Sequence, residues 1–352
     1  MSKDLRVVFI VWAPYSPRSK NLSERLDAHL YLISYKFKRK IYSIIKYPLL
    51  FAKTLYILKR EKPEIILCQS PPIFCALAAM VYQYLTGREN SAVLIDAHTQ
   101  SFDKPWSYFK ALNRLALRRA SMVIVTNVEL QSKVLLNYGI NPIVLEDRIP
   151  DFDTSSSSSG YQNVGKTNAK EKDDNDNNIF FNVAVISSFA ADEPLENVLD
   201  SAEDLMDVKF FITGDKSKVD KQLLKRKLNN VVFTGFLDHG AYISLLRNVD
   251  TIIVLTKRDR TMLAGAYETL ALEKPLITSN WVPLKQYFNK GAIHVDNSSD
   301  EIKQAIKTVQ RKKEELAKDM HQLKIEKINE WEDKFKDFKK HLMLTKNMTS
   351  KN

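Results

Sequence analysis

The chain has 352 residues, 44% of them hydrophobic and 27% charged, with a net charge of +11. That length exceeds one ordinary core and fits two domains, and no segment reaches the roughly 18–20 apolar residues of a membrane-spanning helix. The two cysteines, Cys68 and Cys75, lie in apolar surroundings without metal-ligand spacing, which argues against a disulfide framework or a zinc site and suits a reducing cytosol.

In chain order, "LRVVFIVWA" ahead of Pro14 reads as a first β-strand rather than a signal peptide. The positive excess lies entirely in the first half: residues 1–150 carry 22 Lys and Arg against 11 Asp and Glu. Residues 36–62, "KFKRKIYSIIKYPLLFAKTLYILKREK", hold nine basic residues against one acid, interleaved with Tyr, Phe, Leu and Ile. Two readings fit this stretch. One is an amphipathic helix pair packed on a sheet with a solvated basic face; the other is a surface resting on an anionic membrane. Nucleic acid is not expected, because zinc-finger, aromatic RNP and GXXG signatures are absent.

The runs "EIILCQS", "AVLIDAH", "SMVIVTN" and "NPIVLED" follow, separated by helix-like stretches. Within "LIDAHTQSFDKPWSY", Asp96 and His98 are two apart and point the same way off an extended chain. Either group, or His98 oriented by Asp96, can act as a general base; a buried pair capping loops at a sheet edge fits equally. Asp103 is a weaker candidate, and His29, His239 and His294 have no partner arrangement.

Residues 151–178 are nearly all Ser, Asn, Asp, Lys and Gly, a composition too poor in apolar surface to offset the entropy of ordering. They read as a flexible linker. Its Asp-x-Asp triplets, Asp151 to Asp153 and Asp174 to Asp176, read as chance composition, since metal ligation needs a fixed loop.

Beyond the linker come "NVAVISSF", "VKFFITGD", "NVVFTGF", "DTIIVLT", "KPLITSN" and "AIHVD". Short β-branched runs without alternation, bounded by turns and helices, indicate parallel strands buried on both faces. The fold class expected is α/β, with two doubly wound Rossmann-like domains facing each other across a cleft. Residues 1–150 form the first domain, 179–300 the second, and 301–345 a C-terminal helical segment. Ligands in such sheets bind beyond the carboxyl ends of the strands. In the second domain those positions hold hydroxyls, glycines and basic residues, Ser188 and Gly214 among them.

No dinucleotide fingerprint or Walker sequence occurs. A helix N-terminus can still hold a diphosphate through its N–H groups and dipole. "TIIVLTKRDRTMLAGAYETLAL" has that build: a strand, a loop with Arg258 and Arg260, then a helix opening on Thr261, Ala264 and Gly265. Glu268 follows inside an apolar helix and needs a partner. That partner is either a neighbouring Lys or Arg, or the vicinal hydroxyls of a ribose.

The run "GAYETLALEKPLITSN", with "VDTIIVLTKR" and "NVVFTGFL" before it, resembles the donor domain of GT-B glycosyltransferases of the family 4 type. There a helix of the pattern E-A-x-A-x-G-K-P-x-x-x-S binds the nucleotide sugar. The resemblance implies that Glu268 bonds the ribose hydroxyls, that Thr261 to Gly265 meet the diphosphate, and that Gly235, Phe236 and Leu237 lie near the base. It also has departures. Arg260 stands where the first acid of Glu-x7-Glu is usual, Glu273 replaces the glycine before Lys-Pro, and "ISSFAADEPLEN" carries acids where an Arg and a Lys are usual.

The resulting expectation is a metal-independent glycosyltransferase without a cofactor, its donor a nucleoside diphosphate sugar. The acceptor, a glycan or lipid-linked saccharide, is held by the first domain, which rests peripherally on the inner face of the cell membrane through residues 36–62, in the cytoplasm. A sugar-nucleotide epimerase and a non-catalytic adaptor on the same scaffold are the alternatives. In the tail, Trp331 and Phe335 share a helix face and are candidate anchors to the first domain, with order expected to end near residue 345.

Overall fold

The computed structural model describes residues 5–35, 43–87, 91–152, 180–226 and 228–349. The chain divides into two compact units, Met1–Arg148 with Glu330–Asn352, and Ile149–Asn329.

Unit 1 runs β1 (Val7–Val11), α1 (Pro17–Leu26), β2 (His29–Leu32), α2 (Ser43–Glu61), β3 (Ile65–Ser70) and α3 (Phe74–Thr86). It continues with β4 (Ala92–Ala97), α4 (Lys110–Arg119), β5 (Met122–Val125), α5 (Val128–Tyr138) and β6 (Ile143–Val144). All neighbouring strands are parallel, in the order β2-β1-β3-β4-β5-β6. The unbroken apolar composition of β1 follows from burial on both faces. Val8 and Ile10 enter one core with residues of α2 and α3, while Val7, Phe9 and Val11 enter another with Leu22. Strand β2 has no counterpart among the apolar runs read from the sequence. It is a four-residue edge strand whose side chains are exposed or half-buried, so burial imposes no hydrophobic pattern on it.

Unit 2 runs β7 (Phe181–Val185), α6 (Leu195–Glu203), β8 (Val208–Thr213), α7 (Lys221–Leu224), β9 (Val231–Gly235) and α8 (His239–Asn248). It continues with β10 (Thr251–Val254), α9 (Ala264–Ala271), β11 (Leu276–Ser279), α10 (Val282–Tyr287), β12 (Ala292–Val295) and α11 (Ser299–Thr349). The sheet is again parallel, in the order β12-β11-β10-β7-β8-β9. Local signals set the helix starts. Asp238 accepts from the amide of Ala241 at the N-cap of α8, and Asn127 does the same for Leu130 at α5.

Helix α11 is interrupted at Lys312 and runs from unit 2 into unit 1. Its last part supplies Trp331, Phe335, Phe338 and Leu342 to the same core as Val7, Phe9, Ile65, Leu67 and Leu94. The helix continues to Thr349 rather than ending near 345, held by burial of Leu342 and an ion pair from Lys346 to Glu64 at 2.9 Å.

Ile149 and Phe152 pack into a core of unit 2. The remainder of the expected linker, with Asp153, Asp174 and Asp176, lies outside the described residues, as do residues 36–42 of the basic stretch. Cys68 and Cys75 are buried free thiols. No helix among the described residues is long and apolar enough to cross a membrane.

Candidate functional site

In unit 2 the chain leaves β7 for β8 and β9 on one side of the sheet and returns through β10 to β11 and β12 on the other. The switch point therefore falls between the carboxyl ends of β7 and β10, where open parallel sheets bind ligands. Helix α9 starts just beyond β10, and no side chain caps its N-terminus at Leu263. Ala264 is exposed at that end, and the Thr261 hydroxyl donates to the carbonyl of Asp259 at 3.2 Å.

Gly265 is buried against the sheet. A Cβ there would lie 3.0 Å from Ile186 Cδ1 and 3.1 Å from Val254 Cγ1. The missing side chain thus lets α9 pack closely against the sheet. Thr269 closes the turn, its hydroxyl donating to the Gly265 carbonyl at 2.7 Å.

Glu268 is half-buried and accepts a 2.5 Å hydrogen bond from the hydroxyl of Tyr242 on α8. It forms no ion pair with Lys or Arg among the described residues, so the neighbouring-base explanation drops away. Burial pushes its carboxyl above the usual range, with the Tyr242 hydrogen bond and the nearby His239 offsetting this only in part. Burial and the Glu268 charge push the Tyr242 phenol up as well. The pair leaves carboxylate capacity for a further donor. Tyr242 went unnoticed in the sequence because it lies 26 positions away, on a different helix.

The β8 and β9 turns complete this edge. Gly214 has φ +126°, and a Cβ on it would sit 2.5 Å from the Ser187 carbonyl oxygen and 2.7 Å from the Phe189 ring. Only glycine fits there. Gly214 donates to the carbonyl of Gly235, which itself has φ +77°. Beyond it the Phe236 ring is 86% exposed, and Leu237 is half-buried.

The loop after β7 is organised around its own acids. The Glu193 carboxylate accepts from the Ser187 hydroxyl at 2.5 Å, the Ser188 hydroxyl at 2.6 Å, and the amides of Ser188 and Phe189 at 2.9 Å. Phe189 adopts φ +58°, so successive amides turn toward one anion, as in a backbone nest. Ser188, expected to face a donor, is thus engaged by Glu193. Asp192 reaches across the switch point and pairs with Arg258 at 3.1 Å, while also accepting from the Thr256 hydroxyl at 3.0 Å. Arg260, φ +54°, pairs with Asp259 at 2.9 Å. The acids that depart from the family pattern were visible in the sequence; which donors they hold was not.

Glu273, in the place of the usual glycine, adopts φ +57°. The backbone there keeps a glycine-like conformation, and the side chain is held by Lys324 at 2.7 Å and His321 at 2.8 Å, both on α11.

In unit 1, Asp96 is the penultimate residue of β4 and is fully buried. Arg18, itself buried on α1, approaches it through Nε at 3.0 Å and Nη2 at 2.9 Å, and reaches Asp147 through Nη1 at 2.8 Å. Burial alone would raise the Asp96 carboxyl, but the charges of Arg18 and His98 and the hydrogen bonds from both hold it well below the usual range. His98 is in contact as the two-residue spacing suggests, its Nε2 3.1 Å from Asp96 Oδ2, with the ring 26% exposed. Asp96 is enclosed and pinned, and of the two groups His98 is the one with exposed surface. Arg18 was missed because a buried arginine on a polar helix looks like any solvated charge. Asp103 pairs with Lys133 at 3.0 Å.

Among the described residues, no three His, Cys, Asp or Glu side chains gather to hold a metal ion.

Two switch-point Rossmann-like sheets give this molecule the GT-B fold, and solved structures share that fold. HepE from Anabaena in complex with UDP-glucose is 14% identical, with 95% of this chain and 99% of that one covered at a TM-score of 0.68. A glycosyltransferase from Rickettsia africae is 14% identical, with 99% and 100% covered at 0.66. A putative UDP-N-acetylglucosamine 2-epimerase from Listeria monocytogenes is 9% identical, with 90% and 91% covered at 0.59. Residues 165–326 match the model of the family Glycosyl transferases group 1. No curated protein matches by sequence.

Proposed function

We propose that the protein is a glycosyltransferase that moves a sugar from a nucleoside diphosphate sugar held by unit 2 to an acceptor held by unit 1. The observation that carries this reading is Glu268. It is a half-buried carboxylate on the helix after β10, held by a phenol instead of a cation, inside the region that matches the glycosyltransferase family. A ribose offers two adjacent hydroxyl donors, which is the ligand such a carboxylate lacks.

In this reading the N-terminus of α9, with Thr261, Ala264 and Gly265, receives the diphosphate and stabilises it as it leaves, assisted by Arg258 and Arg260 in place of a metal ion. Gly214, Gly235 and Leu237 shape the base pocket, and the exposed Phe236 ring stacks on the base. Ser188 joins the diphosphate contacts only if Glu193 yields its donors. HepE in complex with UDP-glucose supports a uridine donor.

His98 serves as the base toward the acceptor hydroxyl. The ionised Asp96 can only accept, so it fixes the proton on Nε2 and leaves the Nδ1 lone pair free to take one. This supports an inverting displacement, since a retaining transfer needs no such base. The acceptor is a lipid-linked saccharide or glycolipid, and the protein works as a peripheral enzyme on the inner face of the cell membrane. The charge division supports this: the whole excess of +11 lies in residues 1–150.

The test is sugar transfer from a panel of UDP and GDP sugars into membrane extract, with and without EDTA. Transfer that survives EDTA is expected. Interconversion of the nucleotide sugar without an acceptor would instead establish the epimerase reading, which the epimerase neighbour of the same fold favours. Nucleotide binding with neither reaction would point to an adaptor.

A further inference from the structure

Helix α2 presents three distinct faces. Leu50, Thr54, Ile57 and Leu58 are buried in unit 1. On the opposite side Ile45, Leu49 and Tyr56, spaced four and seven apart, are 50%, 42% and 60% exposed. Lys53 and Lys59 flank that apolar stripe; Lys53 lies over the Tyr56 ring at 5.3 Å, and neither lysine pairs with an acid among the described residues. Between the two faces, Tyr47, Pro48 and Phe51 form one wall of an open cavity of about 560 Å³. Phe74, Pro105, Trp106 and Phe109 form the rest.

The walls are five aromatic rings and two prolines. Phe74 and Phe109 meet edge to face at 5.1 Å, and Tyr47 and Trp106 do so at 6.1 Å. Trp106 is also tied into the loop that starts at His98, because Asn113 donates to the carbonyls of both Ser101 and Trp106. The volume is that of a small-molecule site, yet the walls offer almost nothing to hydrogen-bond. A saccharide placed there would leave its hydroxyls unpaired, at a cost for each one. A hydrocarbon would lose nothing and gain by burial.

Resting on the reading of unit 1 as the acceptor unit, we infer that this cavity holds the hydrocarbon chain, acyl or isoprenyl, of a lipid-phosphate-linked acceptor. The exposed stripe of α2 beside it lies in the membrane interface from which that chain enters. The lysines flanking the stripe match the negative charge of such a lipid, and an amphipathic helix with this arrangement is the form that rests in an interface.

The probe is a series of alkyl phosphates from hexyl to dodecyl, each below its micelle threshold, followed by calorimetry and by tryptophan emission with the full chain. Saturable binding is expected, tightening by about threefold to fourfold per methylene until the cavity is filled. Phe109→Asp, at a position already 38% exposed, should weaken dodecyl phosphate at least tenfold, and Phe51→Asp should do the same. Trp106→Phe should keep the binding and remove the emission change.

Equal binding of hexyl and dodecyl phosphate, equal binding of inorganic phosphate or maltose, or affinity unmoved by both Asp variants would overturn the inference. So would no binding at all, as when another part of the chain covers the cavity. A chain that binds UDP or GDP sugars but no alkyl phosphate fails this inference alone. Loss of nucleotide-sugar binding is what fails the glycosyltransferase reading.

Discussion

Glu268 illustrates how one residue carries a function through its partner. Replacing it with Ala should weaken donor binding by at least about tenfold, the loss of a charge-assisted bond worth roughly 1.5–3 kcal/mol. Titration calorimetry with UDP and GDP checks this, and unchanged affinity would return the residue to a structural role. Its raised carboxyl gives a second expectation. The folded state binds the proton more readily than the unfolded one, so Glu268 erodes stability as pH rises from its ordinary 4.5 toward the raised value. Glu268→Gln should therefore melt higher than the parent at pH 7 without ligand, and the gap should close as pH falls below 4.5.

Asp96 behaves in the opposite sense. Its depressed carboxyl contributes stability that is present above the ordinary 3.8 and is lost as pH falls through the folded value. Asp96→Asn leaves Arg18 buried beside a neutral group and should cost about 3–5 kcal/mol in denaturant unfolding. His98→Gln keeps the packing and should lower turnover by about 10²–10⁴-fold with the donor KM unchanged. At this scale the acid in an apolar helix and the Asp-x-His spacing were legible. Tyr242 and Arg18 were not, since each meets its carboxylate across a long sequence separation.

Among the elements, the strand-to-helix turns of unit 2 show what its few glycines are for. Gly265→Ala drives a methyl against Ile186 and Val254 and should cost about 1–3 kcal/mol by overpacking. If α9 is the diphosphate helix, nucleotide affinity should fall with it. Gly214→Ala meets the Ser187 backbone at 2.5 Å and also requires φ +126°, so it should be the more damaging of the two; parallel melting curves decide. The buried strands were legible, because burial on both faces writes itself as unbroken apolar runs. Strand β2 was not, because an exposed edge leaves the pattern free. The Glu193 nest also escaped: a sequence shows acids in a loop, but only the folded loop shows four donors converging on one of them.

In the whole molecule, the last turns of α11 are part of the first domain's core. Trp331 donates to the Glu146 carbonyl at 3.0 Å and stacks on Phe335 with ring centroids 4.9 Å apart; Arg25 lies over its ring at 5.6 Å. Trp331→Ala should destabilise unit 1 by about 3–5 kcal/mol. A fragment of residues 1–150 should remain unfolded on its own and gain structure when a peptide of residues 330–352 is added, as followed by circular dichroism. Without that peptide, Phe9, Leu67 and Leu94 lose the apolar cover of one sheet face.

The sequence by itself determined the two parallel α/β sheets, the helix that holds Glu268, and the placing of the whole charge excess in residues 1–150. Each of these is written locally, in apolar runs, capping residues and composition. Only the tertiary structure decided that Glu268 faces a tyrosine, that Asp96 is sealed by Arg18 and leaves the open ring to His98, and that five aromatic rings line an open apolar cavity. Those arrangements join residues far apart along the chain, and their energies arise from burial and charge pairing that exist only once the chain has closed around them.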